Sequence, residues 1–573
     1  MDKNILGSLL ALETSSVLSI IVFLSLIRPS FYYSKRVIFT CFFVTLFWFV
    51  VTIYSIIKRK KEEKGLKAYI ISAFIYLVVT LYMIRTVWFY SYLTLAPEYS
   101  FFNGLCHNDT FYLSGLCESI KNYGYPALLT QGLDYHKYHY FSIFMLAVVS
   151  KIVRIPCLIT YCYLYPVVFF PLFSYLFFQA IGVIREYLNK NNIISIIDVF
   201  FSLFVIIGFL PLRYLNSISL GLASIFISES FCVSIILLLM YVVVISKFKK
   251  KKNSKIIIYY LISPLFIFIV TASKISVGII FFIFLIWVYI RKEGIKLSSF
   301  LSMAFGSVVF LLSLSLFLRA FQNINGRSLT WFHFIKTFVP HKNIISHLFF
   351  LFFPALLFFS LSKKTQYYKC YYKTNNAILS EAALIITFCS ILPGNIIEIE
   401  GGSAAYFFLP ALFISLFLLL CSSELQDLFT SITKTKKVLV LLLFIVIYGE
   451  SYIYDSYYGS TLLKANPRQI VMRYQMGKQG NKQVIKSCFY KSLTNINKLT
   501  EGNKRQYCLI VSDDCDIFKL YKGNHFFLGD RGLFAITAYL GMPVVTDLER
   551  AKEMQIENVI ILENNTYRII SLE

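Results

Sequence analysis

The sequence predicts an α-helical polytopic membrane protein with about 12 to 13 spans and a small C-terminal α/β domain outside the cytoplasm. Three observations predict this class. Of 573 residues, 57% are hydrophobic and 15% are charged, whereas soluble domains carry about 25% charged residues. Apolar runs of about 20 residues, the length that crosses a bilayer, recur between charged clusters. From residue 455 onward the chain becomes more polar and its pattern changes.

Composition also argues against other classes. The formal charge is +25, but the basic residues lie in short loops between apolar runs, and no nucleic-acid-binding module is recognisable. The twelve cysteines are scattered and none forms a CxxC pair, so the sequence has no metal-finger or redox motif of that kind. Glu13 lies within the first apolar run and no small-residue cleavage site is evident, which predicts an uncleaved first helix.

Each span is predicted from an apolar run bounded by charged residues, because a helix satisfies its own backbone hydrogen bonds in lipid. The runs 256–272 and 276–290 are predicted to form a tight hairpin with Lys274 at its tip. The segment 141–155 is short for a span and carries Lys151 and Arg154, which predicts a helix at the outer interface. In chain order, the predicted spans are 6–27, 37–57, 68–92, 159–184, 193–212, 220–245, 256–272, 276–290, 298–318, 344–362, 377–392, 404–421 and 438–454.

The distribution of Lys and Arg predicts which side of the membrane each loop faces. Basic clusters in short loops mark the cytoplasmic side, and the order of the spans places the N-terminus there too. Arg28, Lys35 and Arg36 would lie outside, unless the first hairpin is irregular or the first segment does not fully span. The odd number of spans puts residues 455–573 outside. The cytoplasmic clusters are 58–67, 247–255, 291–296, 363–373 and 434–437.

This topology predicts three domains. Residues 1–67 form an N-terminal helical hairpin and a cytoplasmic basic loop, and 68–454 form a transmembrane core with a large outer loop at 93–158. Residues 455–573 form the outer α/β domain, because strand-like and helical patterns alternate there. The strand-like runs are 507–511, 543–546 and 558–562, and the helical patterns are 531–541 and 547–555.

The stretch 103–140 is the longest polar interruption of the first 450 residues and holds Asp109, Glu118 and Asp134. This concentration of acids in a mostly apolar chain predicts that the chemistry takes place there. Asp109 opens a helical pattern that Gly124 is placed to end. An Asp at that position is most often an N-cap, and a cap carboxylate can still face a cavity. Asp134, His136 and His139 leave metal ligation open, although no HExxH-like pattern supports it.

Other polar residues lie near the outer ends of predicted spans. Lys274 either has a function or extends to the interface from the hairpin tip. Glu398 and Glu400 share a face if extended, and either bind a cation or sugar or lie in a solvated loop. One outward-facing cavity is predicted at the outer ends of these spans, lined by Asp109, His139, Lys274 and Glu398. Glu229 either lines the same cavity or bonds between helices.

The order of features in 103–140 resembles the multi-spanning glycosyltransferases of the GT-C superfamily. In both, an acidic residue begins the first large outer loop, a short helix and a Gly–Pro segment follow, and a Tyr-His-Tyr opens an apolar helix. As architecture the resemblance covers 68–454. Many members carry two adjacent acidic residues, whereas here Asn108 precedes Asp109. The matching residues are Asp109, Gly124, Pro126, Tyr138, His139 and Tyr140.

The resemblance implies inverting sugar transfer from a polyprenyl phosphate carrier to a glycan, lipid or protein acceptor at the outer face of a bacterial plasma membrane. Asp109 would take the proton from the acceptor hydroxyl as general base, and cations would stabilise the departing lipid phosphate. No metal ligand is assigned, and a divalent cation is left open. With the polar residues above, the candidate substrate-binding residues are His107, His136, Tyr138, His139, Arg213, Lys274, Arg327, Glu398 and Glu400.

Three alternatives stay open. A transporter or flippase of lipid-linked saccharides predicts internal symmetry and matching broken spans, and neither is evident in the sequence. An envelope polysaccharide polymerase would place its large loop between late spans. A non-enzymatic membrane assembly protein would use the outer domain to bind a partner. Intact function after substitution of Asp109 would favour the last two.

Overall fold

The computed structural model of the chain places its elements in two compact units. The bundle unit comprises Met1–Ser16, Phe47–Met83 and Phe169–Lys464, and the C-terminal unit comprises Val17–Leu46, Ile84–Val168 and Ala465–Glu573. The protein is mostly helical, with a small sheet near the C-terminus. The structure describes residues 39, 43, 46–47, 50, 108–187, 228–248, 254–294, 296–317, 375–396, 403–421, 486–512, 514–515, 525–526 and 529–572.

The described residues form the following elements. The helices are α1 (Asn108–Tyr123), α2 (Phe141–Val153), α3 (Tyr165–Tyr187), α4 (Glu229–Phe248), α5 (Ser263–Ser273), α6 (Ile275–Glu293), α7 (Leu297–Phe317), α8 (Asn375–Ile396), α9 (Ser403–Cys421), α10 (Cys488–Leu499), α11 (Arg531–Leu540) and α12 (Leu548–Glu553). The strands are β1 (Tyr507–Val511), β2 (His525–Phe526), β3 (Gly529–Asp530), β4 (Asn558–Glu563) and β5 (Thr566–Ser571). Single α-helical turns followed by π-helical turns, Cys157–Ile159 with Thr160–Leu164 and Ser254–Ile257 with Ile258–Ile262, lead into α3 and α5.

Among the described residues, four helical segments are long and apolar enough to cross a membrane: Val168–Tyr187, Glu229–Ser246, Lys255–Ser273 and Leu297–Phe317. Each overlaps a run predicted to span. Helices α6, α8 and α9 also overlap predicted spans. Apart from isolated positions within 37–57, the other predicted spans lie outside the described residues: 6–27, 68–92, 193–212, 344–362 and 438–454.

The predicted hairpin at Lys274 is confirmed. A single residue, Lys274, separates α5 from α6, and far from this tip the rings of Tyr259 and Tyr289 lie 4.6 Å apart, so the two helices are antiparallel. Close approach at the tip requires Gly278, because a Cβ there would lie 2.3 Å from Thr271 Oγ1.

Aromatic rings and one arginine join α3 to α9 within the bundle unit. Phe177 packs against Phe417 with ring centroids 5.3 Å apart. Arg185 is 1% exposed and its Nη2 donates to Leu420 O at 2.9 Å. The carbonyls of the last helical turn have no partner within the helix, so a cation at this end of α9 is favourable.

The C-terminal unit contains a small mixed sheet with the strand order β1-β4-β5. Strands β1 and β4 are parallel, and β4 and β5 are antiparallel. Val544 extends the sheet beside Leu509 of β1 through a parallel bridge. The predicted strands 507–511 and 558–562 therefore lie in this sheet, whereas 543–546 forms no strand and joins the sheet only through the bridge at Val544. The predicted small α/β fold is confirmed. The outer location of residues 455–573 stays a prediction.

Candidate functional site

Helix α1 belongs to the C-terminal unit, where it packs against α11. The predicted helix is confirmed, because α1 begins at Asn108 and ends before Gly124, which has φ +91°. The two helices lie close together at Gly115, where an added Cβ would meet Thr537 Oγ1 of α11 at an ordinary contact distance of 3.6 Å. Asp109 therefore lies in the first turn of α1; its side chain lies outside the structural description.

The loop after α1 folds back toward it. Ser119 Oγ donates to Tyr125 O and accepts from Ala127 N, both at 2.8 Å. Ala127 pairs with Tyr135 in an antiparallel bridge, and His136 N donates to Pro126 O at 2.8 Å. These bonds return residues 135–136 to the side of α1.

The result is an aromatic cluster, the His136 cluster, formed by Tyr112, His136, Tyr138, His139 and Phe534. The Tyr112 hydroxyl and His136 Nε2 share a hydrogen bond of 2.9 Å, and both residues are buried. Tyr138 stacks on His139 with ring centroids 4.0 Å apart and meets Tyr112 edge-on. Tyr138 and His139 are half-buried, so aromatic and imidazole groups lie at the edge of the cluster.

The structure thus brings together three of the predicted substrate-binding residues, His136, Tyr138 and His139. Asp109 lies one turn before Tyr112 in α1, and residues three apart share a helix face. The predicted sharing of a cavity with Lys274 stays a prediction. The remaining candidates, His107, Arg213, Arg327, Glu398 and Glu400, lie outside the described residues.

Glu118 forms a second polar group on α1, buried against the C-terminal part of the unit. Its side chain is 1% exposed. Oε1 accepts from Cys157 N at 2.6 Å and from Lys121 Nζ at 3.4 Å, and Oε2 accepts from Asn122 Nδ2 at 3.3 Å. Asn122 Nδ2 also donates to Gly541 O at 2.9 Å. These contacts join three distant segments of sequence.

Charge compensation explains how a carboxylate is accommodated there. Burial acts to raise the pKa of Glu118, but Lys121, Lys504 and the Cys157 amide outweigh it, so the pKa lies below its ordinary value. Burial lowers the pKa of Lys504, and Glu118 offsets only part of that effect. Glu118 is therefore ionised at neutral pH, and its contacts indicate a structural role.

Sequence reasoning singled out Glu118 only as one acid of the polar stretch. A signal was present, because Phe111, Gly115, Glu118 and Asn122 recur at spacings of three and four and so share one helix face. A carboxylate on a face with an aromatic and a glycine indicates burial. No sequence pattern near Lys504 indicates that its side chain lies close to Glu118.

The structure gives the burial or the contacts of three other residues whose roles the sequence left open. Lys274 is 9% exposed, so its side chain is buried at the hairpin tip, and its role stays a prediction. Glu229 begins α4 and is buried. Asp134 is 81% exposed and pairs with Arg550 at 3.3 Å. Within the described ranges, no three His, Cys, Asp or Glu side chains are grouped closely enough to hold a metal.

Comparison of the chain with protein-family models, with curated proteins and with solved structures finds no match.

Proposed function

We propose that this protein is a multi-pass membrane glycosyltransferase that transfers a sugar from a polyprenyl-phosphate carrier to an envelope glycan, lipid or protein acceptor. The observation that carries the proposal is the first turn of α1. There Asp109 precedes Tyr112 by one helical turn, and Tyr112 holds His136 and Tyr138 in the His136 cluster. Four apolar helices of membrane-spanning length support the membrane class.

The proposed roles follow from side-chain chemistry. Asp109 is the general base that accepts the proton of the acceptor hydroxyl as that oxygen attacks the anomeric carbon. The bond from the anomeric carbon to the phosphate oxygen of the carrier breaks in the same step, and the polyprenyl phosphate leaves. The half-buried rings of Tyr138 and His139 offer apolar faces and polar edges, the combination that lines small-molecule sites. The hydrogen bond between Tyr112 and His136 keeps these rings in place, which lowers the cost of ordering them when substrate binds.

The proposed location is a bacterial plasma membrane, with residues 455–573 outside the cytoplasm. The transfer would then take place at the outer face. The basic loops predicted from the sequence support this orientation.

The test is Asp109→Asn, assayed in membranes by mass spectrometry of the lipid-linked sugars. Asn is close to Asp in size, and removing one negative charge from the first turn of a helix costs only about 0.3 to 1 kcal/mol, so α1 should stay folded. The amide does not accept a proton at neutral pH, and losing a general base lowers the rate by about 10² to 10⁴-fold. We expect the donor to accumulate and the product to disappear.

The matched control is Asp134→Asn in the same unit. Asp134 is 81% exposed and its ion pair with Arg550 is on the surface, so this change should leave transfer and folding unaltered. Full activity of Asp109→Asn would remove Asp109 from the mechanism. It would shift the proposal toward a polymerase with another base or a non-enzymatic assembly protein.

A further inference from the structure

A small cavity lies between helices α5, α6 and α7 of the bundle unit. Its volume is about 10 Å³, close to the smallest space that holds one water molecule. Each helix contributes one hydroxyl-bearing side chain to its wall: Ser263 from α5, Tyr289 from α6 and Ser302 from α7. Among the described residues, no Asp, Glu, Lys or Arg lines it. It is called the hydroxyl cavity below.

The hydroxyl of Tyr289 indicates that the cavity has an occupant. Tyr289 is 6% exposed, and its Oη is buried and makes no hydrogen bond to the residues that the structure describes. A buried hydroxyl without a partner destabilises a folded protein. Surrounding lipid would offer no partner either, so the partner has to come from within the bundle.

The two serines of the hydroxyl cavity can accept further hydrogen bonds. Ser302 Oγ donates its proton to Ser298 O at 2.8 Å, which leaves its lone pairs available. Ser263 Oγ shares a hydrogen bond of 2.9 Å with the Tyr241 hydroxyl and also keeps capacity to accept. A water that accepts from Tyr289 and donates to both serines makes three hydrogen bonds, the usual number for a buried water.

The backbone beside the hydroxyl cavity is irregular. The π-helical turn Ile258–Ile262 directly precedes α5, and Pro264, which lines the cavity, has no N–H to donate. Proline breaks in membrane helices are compensated by several means, including ordered waters. The apolar segment Lys255–Ser273 therefore contains one place where a bound water is favourable.

We propose that one water molecule binds in the hydroxyl cavity and joins α5, α6 and α7 through Ser263, Tyr289 and Ser302. The occupant is water and not a cation, because no carboxylate lines the cavity and a buried charge would be uncompensated. The volume excludes a larger molecule. This inference goes beyond the proposed glycosyl transfer and does not depend on it.

The direct test is radiolytic labelling of the full chain in detergent, in water enriched with oxygen-18. An X-ray pulse splits water into hydroxyl radicals, which oxidise the side chains beside them, and mass spectrometry locates the added oxygen. We expect Tyr289 to gain oxygen-18 although it is buried. The control is Tyr165 of α3, which is 1% exposed and does not line the cavity; it should gain none. An unlabelled Tyr289, or equal labelling of both tyrosines, would overturn the proposal.

The variant Tyr289→Phe gives a second test, because the direction of its effect differs with and without water. If water binds Oη, the variant loses a hydrogen bond, and we expect the unfolding temperature to fall by about 1 to 3 °C. If Oη has no partner, its removal raises the unfolding temperature, and the proposal fails. The matched control is Tyr260→Phe, which should change little, since Tyr260 is 38% exposed and its hydroxyl donates to Ser298 O only at 3.5 Å.

Replacing sodium by choline in the buffer tests the choice of water over a cation. We expect the unfolding temperature of the wild type to stay unchanged. A fall that occurs in the wild type but not in Tyr289→Phe would identify a bound cation and overturn the assignment of water.

Discussion

Gly541 is required for two reasons, its backbone conformation and the lack of space for a side chain. It ends α11 with φ +67°, and a Cβ there would lie 2.7 Å from Asn122 Nδ2 and 2.8 Å from Glu118 Oε2. Gly502 shares the positive φ, at +95°, but has nothing within 4 Å of its Cβ position. We expect Gly502→Ala to cost about 1 to 2 kcal/mol from backbone strain, and Gly541→Ala to cost about 1 to 3 kcal/mol more from overpacking. Thermal unfolding of the purified variants measures the difference; equal losses would contradict the close contact with Glu118.

Glu118 makes the stability of the C-terminal unit depend on acid. Its folded pKa is lowered, so its stabilisation is complete above the pKa of about 4.3 of an unfolded chain and is lost as the pH falls through the folded value. We expect the unfolding temperature of the wild type to fall between about pH 5 and pH 3. Glu118→Gln should start lower, because two buried ammonium groups lose their carboxylate, and should show a smaller fall over the same window. Parallel pH profiles of the two proteins would refute this role.

The α5–α6 hairpin depends on Gly278 as an element. An added Cβ would lie 2.3 Å from Thr271 Oγ1 and 2.7 Å from its Cα, so shortening Thr271 cannot relieve the clash. We expect Gly278→Ala to separate the helices near the tip and to destabilise the protein by about 1 to 3 kcal/mol. The control is Gly306→Ala in α7, whose Cβ would meet Ile267 Cδ1 at an ordinary 3.5 Å. It should be neutral or slightly stabilising, since Ala favours helix over Gly. The purification yield and the unfolding temperature in detergent, compared with those of the wild type, give the stability of both variants.

Local patterns were sufficient for many of the elements, although α10 and β5 were not predicted. The strand predicted at 507–511 coincides with β1, and the predicted strand 558–562 differs from β4 by one residue. The reason is that a buried strand or an apolar helix is determined by the pattern of consecutive apolar residues and by the Gly, Pro and polar residues that flank them. The one-residue turn at Lys274 could be placed, but the burial of its side chain could not, because the surrounding side chains come from elsewhere in the chain.

At the scale of the molecule, the proposed topology makes a labelling prediction. Glu557 and Lys255 are both exposed, and the topology places them on opposite sides of the membrane. In a cysteine-free background, a membrane-impermeant maleimide should label Glu557→Cys in intact cells and Lys255→Cys only after lysis. The reverse pattern, or labelling of both in intact cells, would rule out the orientation predicted from the basic loops.

The site was predictable only where its parts are close in sequence. His136, Tyr138 and His139 lie within four residues, and the helix that carries Asp109 precedes them directly, so their grouping could be foreseen. The contact of α1 with α11 and Gly541 could not, because nothing in the sequence near α1 specifies a partner hundreds of residues away. The polar stretch therefore looked like an isolated outer loop, whereas the structure groups it with the C-terminal residues.

The bond from Asn122 to Gly541 has a consequence for how the protein is made. Its two residues are 419 positions apart, and a ribosome adds about 5 to 20 residues per second. During synthesis, α1 waits on the order of 20 to 80 s with Glu118 and its apolar neighbours uncovered. All intervening helices emerge in that interval. A nascent chain stalled before residue 486 should therefore be cleaved within α1 by a protease added to the compartment that holds it, whereas the finished chain is protected there. In this protein, the first large loop to be synthesised is among the last parts to fold.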